Sequence, residues 1–505
     1  MPVDAQIFIT SDWHLGGTQD STNDHGDKTL GQQICRSAAQ ITEFIDWVRS
    51  ISAGFDGITE IVINGDMVDF LSPDDEFEAL PWTSDQDLVI KKLNKIIANS
   101  QDGNNRGPFE ALAEFLNSPK CELTILLGNH DVELSLPKVR AHLHTILQAD
   151  GKTYRFIYDG EAYTRGKLLV EHGNRYDKWN SLDHNGLRAE RSKLSRGYVI
   201  DEGERKQNFF EAPAGSLIVT CVMNFLLPEY PFLNLLKPET EAAIPLVLFL
   251  HPERIATIRH ILALHNLTSR ERTTQFHNNG EPLTQGNMGG QMVKNVSIES
   301  IFSKYSLEMP SGPPAQGQLG GATTITDRYS WLVTQAKELI KNTKSIRQCI
   351  SFALSLPDDD HLKSLQDFLR PLKEDNTFDL EIEKDEYSNA AQHLLSSGEF
   401  NVVIFGHTHL PKKIELVENT GIYINAGAWA DTMRIPDLAL EDTAAGLQCL
   451  KDFLVDTQNN NIEKYIHRSF GYAEIVIKGS DITSSDLRSF CKCNPRGEPL
   501  EQYVK

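Results

Sequence analysis

The chain has 505 residues, 40% hydrophobic and 24% charged, enough for two or three domains or one elaborated domain, with a core that needs no staple. A formal net charge of -21 opposes long polyanions unless a local basic channel exists, which weighs against a duplex nucleic-acid binder. Small phosphorylated substrates are not excluded, because bound cations reverse a local field.

Seven scattered cysteines (Cys35, Cys121, Cys221, Cys349, Cys449, Cys491 and Cys493) suit a reducing compartment better than a disulfide framework. Cys491 and Cys493 alone are too few to hold zinc and read as plain thiols. MPVDAQIFIT has no basic region ahead of a long apolar run, so no signal peptide is expected. No stretch reaches the roughly 20 apolar residues of a membrane span. The expected setting is cytoplasmic, with a peripheral position on the inner membrane face left open.

In chain order, QIFIT (Gln6 to Thr10) predicts a strand and TEFIDWVRSI (Thr42 to Ile51) an amphipathic helix, with Phe44, Ile45, Val48 and Ile51 at helical spacing. EIVIN (Glu60 to Asn64) predicts a strand; DLVIKKLNKIIA (Asp87 to Ala98) and FEALAEFL (Phe109 to Leu116) predict helices. ELTILL (Glu122 to Leu127) and KLLVE (Lys167 to Glu171) continue the strands. This alternation argues for an α/β sheet covered by helices.

From about Asn180 to Phe400 the patterns are helical, and the segment reads as an insertion. Within it, residues 273–291 and 310–321 are rich in Gly, Pro, Gln and Asn and read as linkers or loops. Ser216 to Leu236 and Ile244 to Leu250 are apolar; they suit either a hydrophobic cap or the core of a helical subdomain. The absence of Lys and Arg from Ser216 to Leu236 disfavours a surface-lying membrane helix. LPDDDH (Leu356 to His361) reads as a helix N-terminus or a cation site. NVVIF, KKIELVE, GIYINAG and YAEIVIKG then return the chain to strands.

Five strands are each followed by side chains able to hold a metal. SDWHLGG brings Asp12 and His14, GDMVD brings Asp66 and Asp69, and GNHD brings Asn129, His130 and Asp131. HGN brings His172, and GHTH brings His407 and His409. Ligands bind at the carboxyl edge of open α/β sheets. Residues two apart in extended chain share a face, so Asp12 with His14, and His407 with His409, are expected to converge. Carboxylate, amide and imidazole without thiolate suit Mn, Fe, Zn, Co or Ni. The seven candidate ligands, Asp12, His14, Asp66, Asn129, His172, His407 and His409, suit two ions sharing a carboxylate. Asp69 either supports a ligand or caps the next turn.

DWH, GDMVD, GNHD, HGN and GHTH, in that order, resemble the calcineurin-like metallophosphoesterase superfamily. The resemblance implies two packed mixed β-sheets flanked by helices, here with a large, mainly helical insertion. It implies two divalent ions, Mn foremost, with Asp12, His14 and His409 on one, Asn129, His172 and His407 on the other, and Asp66 bridging. A hydroxide held between them would attack phosphorus. His130 would serve the leaving group, and Asp131 would orient His130. The implied division is 1–180 and 400–505 for the catalytic domain and 181–399 for the insertion, with loops near 273–325.

Asn174, Arg175 and Tyr176 are candidate substrate contacts; Arg175 either forks onto a phosphate or forms a surface ion pair. GNHDVEL and INAGAWAD are similar to a bacterial branch near the UDP-diacylglucosamine pyrophosphohydrolases. The chain departs from that branch at His130, where arginine is common, and in its longer insertion. The expected substrate is a phosphodiester or pyrophosphate of a small molecule or lipid-linked nucleotide. A nuclease of the same superfamily, or a metal-binding scaffold without catalysis, are the alternatives.

Overall fold

A computed structural model describes residues 4–22, 28–177, 179–200, 209–228, 230–238, 359–374, 376–417 and 421–496, with residues 242, 243, 246 and 500 besides. The predicted loops at 273–291 and 310–321, the apolar run after 246, and Leu356 to Pro357 lie outside the described residues.

Two sheets carry the fold. The first has six strands in the order Asp481–Ser489, Gly471–Lys478, Ala5–Thr10, Ile58–Asn64, Cys121–Leu126 and Tyr154–Ile157. The last four run parallel, and Gly471–Lys478 joins them antiparallel. The second has five strands in the order Lys412–Val417, Gly421–Asn425, Val402–Phe405, Leu168–Val170 and Tyr163–Arg165, with the middle three parallel.

Alternation assigns the faces of both sheets. Ile7, Ile9, Val62 and Leu126 of the first sheet meet Val170, Val402, Ile404 and Ile424 of the second in one apolar cluster. The intervening Phe8, Ile61, Ile63, Leu123 and Ile125 face the helices instead. On the far side, Val403, Phe405 and Tyr423 pack against Tyr387, Ala390, Ala391 and Leu395 of helix Asp385–Ser396. Both faces of each sheet are therefore covered, which is why these strands read as nearly unbroken apolar runs. The result is a mixed α/β fold of two sheets flanked by helices, as the motif resemblance implied.

The helices form for local reasons. In Ala38–Ser52, Ile41, Phe44, Ile45 and Val48 build one buried stripe. Gln86–Asn99 starts where the Asp85 carboxylate accepts the Asp87 and Leu88 N–H groups. Pro108–Leu116 starts on Pro108, and the Glu110 carboxylate accepts the Gly107 N–H.

A separate cluster joins Leu226, Leu227, Tyr230, Phe232, Leu233, Leu235 and Leu236 to Leu362, Leu365 and Leu369, and to Met433, Leu450, Phe453 and Leu454. The described part of the Ser216 to Leu236 run is thus core, not an open apolar face. The described residues of 181–399 contain no strand beyond the single bridge from Leu236 to Met433.

Phe44 is fully buried and its ring meets those of Phe8, Trp47, Trp429, Tyr472 and Phe490. Phe44→Ala is expected to remove about 3–5 kcal/mol of stability, read as a lower urea midpoint at unchanged slope.

Candidate metal centre

The five motifs meet because the parallel strands of both sheets end on the same side. Asp12 and His14 follow Ala5–Thr10, Asp66 follows Ile58–Asn64, and Asn129 follows Cys121–Leu126. From the second sheet, His172 follows Leu168–Val170, and His407 and His409 follow Val402–Phe405. The first two loops extend their strands' pairing: the Asp12 N–H donates to the Gly65 carbonyl, and that of His14 to the Asp66 carbonyl.

The backbone differs from the extended chain expected from spacing. Asp12, His14, Asp66, His407 and His409 have φ of 54°, 48°, 50°, 70° and 65°. These left-handed conformations cost on the order of 1–3 kcal/mol each and are sustained by the surrounding structure. The paired residues converge through sharp turns, not through alternation. Asn425 shapes one turn: its Nδ2 donates to the Gly406 carbonyl and to Thr408 Oγ1.

The resulting groups are compact. Asp12, His14 and His409 can each offer an atom within 4.8 Å of the others, as can Asp66, His172 and His407, and as can His14, Asp69 and His130. His14 Nε2 lies 2.9 Å from His409 Nε2, 3.8 Å from Asp12 Oδ1 and 3.6 Å from Asp66 Oδ2. His172 Nε2 lies 3.2 Å from Asp66 Oδ2.

Each of four candidate ligands is anchored at one atom and bare at the other. Asp12 Oδ2 accepts the His407 N–H at 3.0 Å, and Asp66 Oδ1 accepts the His130 N–H at 2.8 Å. His172 Nδ1 donates to the Asn64 carbonyl at 2.8 Å, and Asn129 Nδ2 to Asn180 Oδ1 at 3.4 Å. Of the opposite atoms, Asp12 Oδ1 and Asn129 Oδ1 are buried without a hydrogen-bond partner among the described residues, and Asp66 Oδ2 and His172 Nε2 have only each other, 3.2 Å apart. Buried polar atoms rarely go so poorly paired, and with His172 neutral all four would offer lone pairs. Two imidazoles bound at right angles to one ion, each about 2.1 Å away, place their nitrogens about 3 Å apart. The His14–His409 spacing matches that arrangement. The residues present fit divalent metal.

The electrostatics favour the ligating form of Asp66 and His409 and oppose that of His172 in the metal-free chain. Burial opposes ionisation of Asp66, but His172 and His130 hold its carboxyl well below the usual carboxylate range. Burial disfavours the charged His172, yet Asp66 pushes its pKa up to about 10, so a bound ion would have to displace the Nε2 proton. Burial, aided by Lys237, holds His409 well below the usual range of histidine and so in its ligating form.

The structure reassigns the partner of His130. His130 Nδ1 donates to Asp69 Oδ1 at 3.1 Å, and Asp69 also accepts the N–H groups of Leu71 and Ser72. Burial opposes ionisation of Asp69, but the His130 charge lowers its pKa below the ordinary value. Asp131 was expected beside His130. It instead takes the Met67 N–H on Oδ2 and the Gly128 N–H on Oδ1, both at 2.8 Å, because neighbouring residues here point to opposite sides. Burial and then Asp66 push its carboxyl up to about 7. Asp131 braces the Asp66 and Asn129 loops; Asp69 does the orienting.

The candidate substrate contacts are placed elsewhere. Arg175 Nε pairs with Glu171 Oε2 at 3.2 Å and its Nη2 donates to the Gly160 carbonyl. Tyr176 donates to Glu171 Oε1, and Asn174 Nδ2 to the Asn180 carbonyl. Arg175 therefore forms the ion pair that was its alternative reading, with Glu171 as partner. Asp177 accepts a hydrogen bond from His407 Nε2 at 3.0 Å. A single sequence carried no signal for that contact.

Residues 5–212 match the family model of the calcineurin-like phosphoesterases. The match supports the superfamily and, with it, metal-dependent hydrolysis of a phosphoric ester. No curated protein matches the chain. Among the described residues, no helix is long and apolar enough to cross a membrane.

Two predictions follow from this geometry. A Cβ at Gly128 would lie 2.0 Å from Asp66 Oδ1 and 2.3 Å from the Asp66 nitrogen. Gly128→Ala should therefore weaken divalent-ion binding by about 10- to 100-fold, measured by calorimetric titration.

Glu133, buried near Lys92, has its carboxyl pushed up to about 8 by burial. Its folded pKa lies above the unfolded value of about 4.3, so the folded chain keeps a proton that the unfolded chain has lost. Stability therefore falls as pH rises from about 4.3 to about 8. Glu133→Gln is expected to flatten the pH dependence of the urea midpoint across that window.

Proposed function

We propose that the chain is a phosphohydrolase that cleaves a phosphodiester or pyrophosphate bond in a small-molecule or lipid-linked nucleotide substrate. It would use two divalent ions, Mn foremost, held by Asp12, His14, Asp66, Asn129, His172, His407 and His409. The observation that carries this reading is the set of buried ligand atoms, each bare at one end and anchored at the other. The calcineurin-like match over residues 5–212 supports it. When bound, the ions would supply Lewis acidity to phosphoryl oxygens and a water of lowered pKa.

The chain's own residues supply the rest. Asp12, His14 and His409 face one position and Asn129, His172 and His407 the other, with Asp66 between. His130 is the residue that reaches substrate: its side chain is 19% exposed, against 0% for His14 and 2% for His172. With Nδ1 committed to Asp69, proton transfer to the departing oxygen falls to Nε2. The nearby Asp69 carboxylate favours the protonated imidazole that this role needs. No side chain need become phosphorylated.

In this proposal residues 1–180 and 400–505 form the catalytic domain and 181–399 an insertion or cap. The setting is cytoplasmic, in keeping with the free thiols Cys35, Cys121, Cys449, Cys491 and Cys493.

The test is a panel on Mn-loaded protein: bis-p-nitrophenyl phosphate, p-nitrophenyl phosphate, a UDP-linked diacylglucosamine and single-stranded DNA. Diester or pyrophosphate cleavage is expected, abolished in Asp66→Ala and reduced about 100- to 10,000-fold in kcat by His130→Ala. Preference for DNA would replace this reading with a nuclease. Two bound ions with no turnover on any substrate would replace it with a scaffold.

A further inference from the structure

We infer that the turn formed by residues 174–177 and 179–181 is a clasp that builds one of the two ion positions, with Asp177 and Asn180 as its positioning residues. The inference rests on the metal-centre reading above and deepens it.

The two side chains concerned come from different sheets. Asn129 follows Cys121–Leu126 of the first sheet, and His407 follows Val402–Phe405 of the second. No strand pairing links them; the sheets are joined by apolar packing and by the His407 N–H on Asp12 Oδ2, and the turn adds a direct link. Asp177 Oδ2 accepts from His407 Nε2 at 3.0 Å and from Asn180 Nδ2 at 2.7 Å. Asn180 Oδ1 in turn accepts from Asn129 Nδ2 at 3.4 Å. A continuous chain of hydrogen bonds therefore runs from His407 through Asp177 and Asn180 to Asn129.

The clasp also selects which atoms face the ion. A carboxylate only accepts, so His407 Nε2 carries the proton and Nδ1 is left as its ligating nitrogen. Donation from Asn129 Nδ2 turns Asn129 Oδ1 the other way, and that oxygen is buried without a partner among the described residues. Carboxylates behind metal-binding histidines fix tautomer and ring orientation in this way.

The turn is itself held in shape. Asp177 Oδ1 accepts the Trp179 N–H at 2.8 Å, the Asp177 carbonyl accepts the Ser181 N–H at 2.9 Å, and Asn174 Nδ2 donates to the Asn180 carbonyl at 2.9 Å. The start of the predicted insertion rests on it. The Gly215 N–H donates to the Trp179 carbonyl at 2.8 Å, and a Cβ at Gly215 would come within 2.0 Å of Asn180 Oδ1. The segment Ala214–Ile218 thus packs directly on the clasp, which ties the start of the insertion to that ion position.

The test is calorimetric titration of the full chain with Mn, fitted for each ion, on wild type, Asp177→Ala, Asp177→Asn, Asn180→Ala and Gly215→Ala. Asp177→Ala should weaken one ion by about 10- to 100-fold and leave the other within about twofold, the intact position serving as the control for folding. Asp177→Asn, which keeps an acceptor for His407, should fall between wild type and Asp177→Ala. Gly215→Ala should weaken the same ion as Asn180→Ala. For Asp177→Ala, kcat should fall at limiting Mn and recover when Mn is raised.

Equal weakening of both ions, or wild-type affinity at both, would overturn the inference and leave the metal-centre reading standing. A wild-type chain that binds no divalent ion would overturn both.

Discussion

The structure depends on buried lone pairs that the chain itself does not satisfy. Asp12 Oδ1, Asp66 Oδ2, His172 Nε2 and Asn129 Oδ1 are buried, close together and without hydrogen-bond partners among the described residues, save that Asp66 Oδ2 and His172 Nε2 have each other at 3.2 Å. Left alone, each would cost about 1–3 kcal/mol. The opposite atom of each side chain is tied to backbone or to a neighbour, so the bare atoms cannot swing away to find partners. A divalent cation would resolve this frustration, and the ligand set suits one.

That arrangement needs a stiff frame. Five of the site residues sit in left-handed backbone conformations, which a soft scaffold would relax. Here each strained turn leaves the end of a strand covered on both faces, and further bonds pin it. The Ala428 N–H donates to the His409 carbonyl and the Trp429 N–H to the Asp12 carbonyl. Trp429 itself is buried among Phe44, Phe470 and Phe490. The aromatic core and the metal centre are therefore mechanically continuous.

The layer beneath His130 shows the same economy of charge. Asp69 holds the imidazole. Lys92 Nζ, buried, donates to the carbonyls of Phe70 and Ser72 and so fixes the loop that presents Asp69. Burial lowers the pKa of Lys92, while the neighbouring Asp69, Asp74 and Glu133 charges oppose that shift. The apparently spare acidic residue Asp131 uses both oxygens on backbone N–H groups, which makes it a brace for two ligand loops.

Much of this was legible in the sequence because strands buried on both faces leave unbroken apolar runs, and because Asp, Asn and His directly after such runs are unusual together. QIFIT, EIVIN, ELTILL, KLLVE and NVVIF all became strands of the two sheets. The seven candidate ligands all gathered at one edge, in the groups around Asp12 and Asp66 or, for Asn129, beside them through Asn180 and the His130 backbone.

What spacing could not convey was direction. Adjacent residues His130 and Asp131 point apart, so the partner of His130 comes from 61 positions away, at Asp69. Asp177 and His407 are 230 positions apart and meet because the strands they follow, Leu168–Val170 and Val402–Phe405, pair side by side in the second sheet. Arg175, plausible for phosphate by its chemistry, is drawn to Glu171 by proximity. The sequence by itself determined which residue types could hold metal and which strands would carry them, since both are local properties of composition and periodicity. The tertiary structure alone decided which oxygen or nitrogen of each side chain stays bare, because that depends on hydrogen bonds between segments far apart in the chain.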